Sequence, residues 1–264
     1  MRANPAKRAE TDREGHDRRL FDDIAGRYSA KDRDAACRLA RRHRLRQTMA
    51  AVPGQRFGRV LELGCGAGYS AVYLRGMYSQ YVGVDYAENL IRYARRHNAS
   101  PHAAFHNVNI RDYTPKEAFD VVFMVGVLHH LDRPHDMVRH IASLVRPGGW
   151  FAVNEPQPAN ALIRAARRVR AGLDRSYSRE QAQIAAPELK SMLTVCGFTD
   201  VRVRPQGFFS TPFAEVILRP RFVVYPLAAA AVAMDTFLTG TFGRILHRYS
   251  WNLVASGSRA VAQS

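Results

Sequence analysis

Glu62, Gly64, Gly66 and Gly68 alternate along VLELGCGAGYS, the stretch from Val60 to Ser70. Glycines in such a cluster let the chain turn tightly and let a ligand approach the backbone, because they carry no Cβ. A phosphate loop of the form GxxxxGK[ST] is excluded, since no lysine follows. A G-x-G-x-x-G dinucleotide turn is also broken, since Tyr69 stands at the third glycine position counted from Gly64. Glu62 would repel a pyrophosphate, yet an acid there suits a ligand that carries an ammonium group. Asp85 lies 21 residues beyond Gly64, where a carboxylate can accept both hydroxyls of a ribose. Turn and acid together point to a nucleoside that is cationic rather than phosphorylated. His129, His130 and Glu155 are the other residues suited to chemistry. A histidine titrates near neutrality and can remove a proton. Glu155 is a second candidate base, or a group that orients a substrate.

These residues need a frame, and the middle of the chain supplies one. Buried strand-like runs (GRVLELG, YVGVD, AAFHNVN, FDVVFMVGVL, WFAVNEP, DVRVRP) alternate with helical patterns (SAVYLRGMY, ENLIRYARRHN, HDMVRHIASLV, ELKSMLTVCGF). PGG reads as the turn into the fifth strand. Such alternation predicts an α/β fold, a parallel sheet with helices on both faces. Ligands then bind beyond the carboxyl ends of the strands, at the topological switch point. Asp85 ends the second strand in this reading, Val125 the fourth and Glu155 the fifth, while the His pair follows the fourth directly.

Composition bounds the setting. The chain has 264 residues, 47% hydrophobic, with a net charge of +16. That is enough for one substantial core. Cys37, Cys65 and Cys196 are far apart and show neither disulfide nor zinc spacing. With a charged N-terminus lacking an apolar run, a reducing, cytoplasmic setting is expected. Residues 1–19 read as a basic, disordered arm, and residues 20–264 as one domain. The positive charge draws the chain toward polyanions without choosing among nucleic acid, anionic lipid and acidic substrates.

From about Phe21 to Val203 the chain resembles a class I S-adenosylmethionine-dependent methyltransferase, near the ubiquinone/menaquinone-methyltransferase-like group. VLELGCGAGYS, GVDYAENLI, FDVVFMVGVLHHLDRP, LVRPGGWFAVNEP and LKSMLTVCGFTDV carry the resemblance, in order and at the right spacing. It implies a Rossmann-like seven-stranded mixed sheet whose last strand is antiparallel, with SWNLVASG (Ser250–Gly257) as that strand. It implies S-adenosylmethionine as cofactor, with Glu62, Gly64, Cys65, Gly66 and Gly68 at the methionine end. Asp85 would take the ribose and Tyr86 would pack near the adenine. Asn109 stands where the family usually has an aspartate for the adenine amino group; with Ile110 it is kept as a contact, and Asp112 competes with it. The Val125 carbonyl would meet the cofactor. FDDIAGRY resembles a closing segment, making Tyr28 either a lid residue or a helix-packing tyrosine, within a helical lid over about 20–55.

The acceptor is less constrained. His130, ahead of His129, is the candidate base, although LHHL recurs in the group whatever the acceptor, so a structural role stays open. No metal is expected, because His129, His130 and His135 lack a carboxylate–histidine pattern. VGVLHH replaces the Asn/Asp-Pro-Pro-aromatic motif of base-methylating enzymes, and no RNA-binding module is appended, which argues against nucleic acid. The acceptor class is therefore a small molecule, hydrophobic or lipid-linked, with a soluble natural product or glycan as the alternative. A non-catalytic cofactor-binding protein on this scaffold is the reading from another class.

A hydrophobic helical insertion is expected over about 206–248. Its apolar run, Phe222 to Met234, is interrupted by Pro226 and ended by Asp235, and reads as too short to span a bilayer. Three readings stand open for it: a substrate-covering lid, a homodimer surface or an element lying on an anionic membrane. NALIRAARRVRAG, after the fifth strand, is a further helix candidate beside the acceptor.

Overall fold

In the computed structural model, residues 12–158 and 184–261 are described. Three helices come first: α1 (Asp12–Asp23), α2 (Ala25–Arg33) and α3 (Ala35–Met49). The arm expected over residues 1–19 is thus corrected, since its second half belongs to α1. Charge density is a poor guide to disorder when Asp17 and other residues of the helix find partners in the domain. Asp34 starts α3 as its N-cap, accepting the Ala36 and Cys37 N–H groups at 3.1 and 3.2 Å.

The sheet follows: β1 (Phe57–Leu63), β2 (Tyr78–Asp85), β3 (Ala103–Asn107), β4 (Phe119–Val125), β5 (Val145–Pro156), β6 (Phe198–Gln206) and β7 (Asn252–Arg259). Their order is β3-β2-β1-β4-β5-β7-β6. The first five pair in parallel, and β7 runs antiparallel between β5 and β6. The seven-stranded mixed sheet with an antiparallel last strand is therefore present. The chain leaves β1 toward β2 and β3, then returns to β4 on the other side, which opens a crevice at the strand ends.

Helices cover the two faces: α4 (Tyr69–Tyr73), α5 (Glu88–His97), α6 (Pro134–Leu144) and α7 (Ala186–Val195). On α5, Leu90, Ile91 and Ala94 are buried at helical spacing while Arg92, Arg95 and Arg96 face water. Leu61, Leu63, Val122, Met124, Phe151 and Val153 fill one side of the sheet against Met137, Ile141, Leu189 and Met192.

Two local readings change. The helix expected over SAVYLRGMY is only one turn long, because Gly76 adopts a positive φ of 87° and β2 begins at Tyr78. PGG is not the turn before β5. Phe119 pairs with Val145 and Val121 with Trp150, so the intervening residues bulge out within the strand.

The segment before β7 carries α8 (Thr211–Glu215) and α9 (Arg221–Leu246). Helix α9 runs unbroken through Pro226, which removes one hydrogen bond near its start. Its stretch Arg221–Gly243 is long and apolar enough to cross a membrane by length and composition, which corrects the expectation of a run too short. The NALIRAARRVRAG candidate lies outside the described residues.

Candidate functional site

A cleft of about 740 Å³ opens at the switch point between β1 and β4. Its walls include Tyr28, Gly64, Gly66, Asp85, Tyr86, Asn109, Ile110, Val125 and His130. Nine of the expected site residues are thus gathered there from five separate segments. Asp112 is not among them; it is exposed on the turn where its N–H meets the Asn109 carbonyl.

The turn after β1 is glycine-rich for steric reasons at two positions. A Cβ on Gly64, at φ 77°, would lie 2.4 Å from Val127 Cγ2. A Cβ on Gly68, at φ 75°, would meet the Phe105 ring at 2.5 Å. Gly64 therefore lets the loop after β4 approach β1 across the cleft. Gly68 is not among the residues lining the cleft, and its missing Cβ lets the turn pack on β3.

Asp85 ties the turn to β2. Its Oδ2 accepts the Gly66 N–H at 2.8 Å and its Oδ1 the Ala87 N–H at 2.9 Å. A carboxylate has about four lone-pair sites, so both oxygens keep capacity for hydroxyls in the cleft. Burial pushes the Asp85 carboxyl up to about 6, against the opposing pull of the Ala87 and Gly66 N–H groups.

Beside the cleft lies a polar pocket of about 490 Å³ that shares Tyr28, Gly64 and Val125 with it. Glu62 and Cys65 open here, facing Asp32, Arg41, Arg44 and Tyr69. Arg41 Nε is 2.9 Å from Asp32 Oδ1, and the Tyr73 hydroxyl donates to the same oxygen at 2.9 Å. The Arg41 guanidinium sits 4.8 Å over the Tyr28 ring. Glu62 accepts from Ser70 Oγ at 2.8 Å and from the Tyr81 hydroxyl. Burial nevertheless raises its carboxyl to about 7. Acids and guanidiniums side by side suit a zwitterion such as an amino-acid end. Burial keeps the Cys65 thiol protonated, so Cys65 is lining rather than a nucleophile.

The three candidate bases separate. Glu155 is 1% exposed. Its Oε1 accepts the Val127 and Leu128 N–H groups at 3.1 and 2.9 Å. Its Oε2 is 3.2 Å from the His129 N–H and 2.6 Å from His129 Nδ1. Glu155 and His129 thus lock the loop after β4 from below and do not line the cleft, so neither is placed as a base. Burial works to raise the Glu155 carboxyl, but His129 and the backbone donors outweigh it and hold it below the ordinary value. Glu155→Gln should destabilise the fold by about 2–4 kcal/mol at pH 7 in chemical unfolding, because a buried N–H donor loses its acceptor. A depressed folded value means that this stability is present above the ordinary glutamate range and lost as pH falls through the folded value. The gap between Glu155→Gln and the parent should therefore close in acid.

His130 does line the cleft. Its Nδ1 is 2.9 Å from Asp17 Oδ2 on α1, and Phe21 meets its ring edge-on at 5.8 Å. An oriented imidazole backed by a buried carboxylate is the arrangement of a general base. Asp17, Phe21, Asp32 and Arg41 were not foreseen individually. They come from three helices with no shared spacing, and only FDDIAGRY hinted at that wall.

Comparison with known proteins adds to this picture. A family model described as "Methyltransferase domain" matches residues 30–203. Trans-aconitate 2-methyltransferase of Escherichia fergusonii is 32% identical over 124 residues, 45% of this chain and 48% of that protein. The chain thus matches about half the length of such curated relatives. A methyltransferase of Thermotoga maritima superposes with a TM-score of 0.65 at 18% identity, over 92% of this chain and 100% of that one. Magnesium protoporphyrin IX methyltransferase of Synechocystis PCC 6803, solved with S-adenosylhomocysteine, gives 0.59 at 14% identity, over 92% and 100%. At these identities the superpositions speak for a shared fold.

Proposed function

Since this chain belongs to the methyltransferase-domain family, we propose that it transfers a methyl group from S-adenosylmethionine to a small, apolar or lipid-linked acceptor. One observation carries the reading: Asp85, tied to the glycine turn through the Gly66 N–H, faces a cleft that continues into a pocket lined by Glu62, Asp32 and Arg41. Ribose, adenine and amino-acid end each find a chemically matched wall. Asp85 holds the hydroxyls, Tyr86, Asn109 and Ile110 flank the base, and Glu62 with the Asp32–Arg41 pair receives the charged end. When bound, the cofactor supplies the electrophile, a methyl carbon on a cationic sulfur.

The chain's own task is alignment, exclusion of water and handling of one proton. Phe21, Val127 and Leu131 wall the cleft beside His130. His130, held at Nδ1 by Asp17, takes the proton of an O–H or N–H acceptor at its other ring nitrogen as the acceptor's lone pair forms the new bond to carbon. The cofactor, held by Asp85 and Glu62, would supply that methyl carbon and keep the electron pair of its carbon–sulfur bond.

The apolar walls favour a hydrophobic acceptor. Methyl-labelled S-adenosylmethionine supplied with a lipid extract and a soluble-metabolite fraction separates the alternatives. Label should move to the organic phase; label confined to soluble acids would favour an acceptor nearer to that of the trans-aconitate relatives.

Glu62 gives a pH signature. With its carboxyl raised to about 7, it is largely protonated at pH 6 and ionised at pH 8, and only the ionised form attracts an ammonium. Affinity for the cofactor should rise about three- to tenfold over that interval. Glu62→Gln should flatten the profile; a titration unchanged by the substitution would remove Glu62 from the ammonium's neighbourhood.

A further inference from the structure

Helix α9 poses a problem that the methyl-transfer reading does not solve. Between Phe222 and Gly243 its only charged residue is Asp235, and that residue is fully buried. Asp235 accepts the Phe208, Phe209 and Ser210 N–H groups at 2.9, 2.8 and 3.0 Å, anchoring the loop before α8. Val224, Ala228, Ala231 and Asp235, spaced by four, three and four, form the inward stripe, with Val224 and Ala228 packed on Ala36 of α3. The rest of its surface from Phe222 to Gly243 is uncharged and mostly apolar, broken by Thr236, Thr239 and Thr241, and much of it faces out. Phe222 is 81% exposed, Phe237 59% and Ile245 75%, with Val223, Leu227 and Met234 between them. A helix apolar all round belongs inside a large core or against lipid, and this one is not inside the core. Exposed Phe209 and Leu218 extend the patch. The helix lies outside the residues that the family model matches, so the family's common machinery does not account for it.

The rim identifies the occupant. Arg219 and Arg221 stand at the start of α9, exposed while reaching Asp34 at 3.3 Å, and exposed His247 and Arg248 follow its end. Tyr225 and Tyr249 are exposed near the two ends. From Val216 to Ser264 the sequence holds no acid except the buried Asp235. Apolar face, aromatic ends and a rim that stays net cationic, with two arginines on the one Asp34 carboxylate, complement the acyl boundary and headgroups of an anionic bilayer. Two copies of this chain would instead bring like-charged rims together. We propose that α9 docks this protein flat on an anionic membrane surface, its Phe222–Ile245 face in the acyl boundary. It does not span, because its inward stripe packs on α3 and Asp235 is bound to the loop before α8. Helix α3 also carries Arg41 and Arg44 of the polar pocket, so the docked surface is one helix away from the site. The docking inference stands independently of the proposed reaction.

Flotation of the full chain with vesicles tests it, without substrate or cofactor. The chain should float with phosphatidylcholine vesicles containing phosphatidylglycerol, more weakly with phosphatidylcholine alone, and less as salt is raised. Leu227→Gln/Met234→Gln/Phe237→Gln, on the outward face, should lower partition by more than about tenfold, with S-adenosylmethionine binding and thermal unfolding as controls for folding. Arg219→Gln/Arg221→Gln should weaken only the anionic component. A chain that stays at the bottom of the gradient with anionic vesicles overturns the proposal, as does a triple variant that floats unchanged. A stable dimer in lipid-free solution, dispersed to monomer by the triple variant, would assign the face to a second copy instead.

Discussion

Asp85→Ala should abolish measurable binding of S-adenosylmethionine while leaving the domain folded. The carboxylate is the proposed acceptor for two ribose hydroxyls, and hydrogen bonds to a charged acceptor contribute about 1.5–3 kcal/mol each. Losing both corresponds to a fall in affinity of about a hundredfold or more. Asp85 also accepts the Gly66 and Ala87 N–H groups, so part of the loss comes from a loosened glycine turn. Asp85→Asn separates the two contributions, since an amide keeps one acceptor oxygen. It should bind more weakly than the parent and better than Asp85→Ala. Calorimetric titration of both variants checks the order, and parental affinity in Asp85→Ala would remove the nucleoside from this cleft.

His130→Ala should lower the rate of methyl transfer to an O–H or N–H acceptor by about a hundredfold or more, the usual scale for a positioned general base. Cofactor affinity should change little, because the glycine turn, Asp85 and Glu62 are untouched. Asp17→Asn is the companion: it keeps the shape but weakens the partner 2.9 Å from Nδ1, and should cost less while moving the pH–rate profile. The contrast is with His129, which Glu155 holds out of the cleft. His129→Ala should act mainly on stability. A His130→Ala enzyme turning over at the parental rate would place the proton elsewhere, or the reaction at a carbon that needs no base.

The sheet was legible because its central strands β1, β4 and β5 carry buried, nearly continuous apolar runs, and because Asp85 and Val125 are each the last residue of their strand. The Gly64 turn, directly after β1, was legible in the same way. Legibility failed wherever burial direction decided the role. Glu155 also ends a strand, but the loop after β4 folds over it and consumes both its oxygens, which no spacing announces. His129 and His130 are neighbours in sequence and their rings stay 4.2 Å apart, yet at the 3₁₀ turn over Leu128–His130 one takes Glu155 as its partner and the other Asp17. That Gly68 also packs against Phe105 is not announced by the glycine spacing. The polar pocket was invisible because Asp32 and Arg41 sit on different helices. On α9, Pro226 and Asp235 looked like interruptions; the helix absorbs the first near its start and turns the second inward.

The central claim is that the cleft at the β1/β4 switch point holds S-adenosylmethionine. Isothermal titration of the purified chain with S-adenosylmethionine and S-adenosylhomocysteine tests it most directly. Binding of both in the micromolar range, one molecule per chain, is the predicted result. No heat with either, from a folded sample, would contradict it and leave the methyltransferase fold serving an interaction without cofactor.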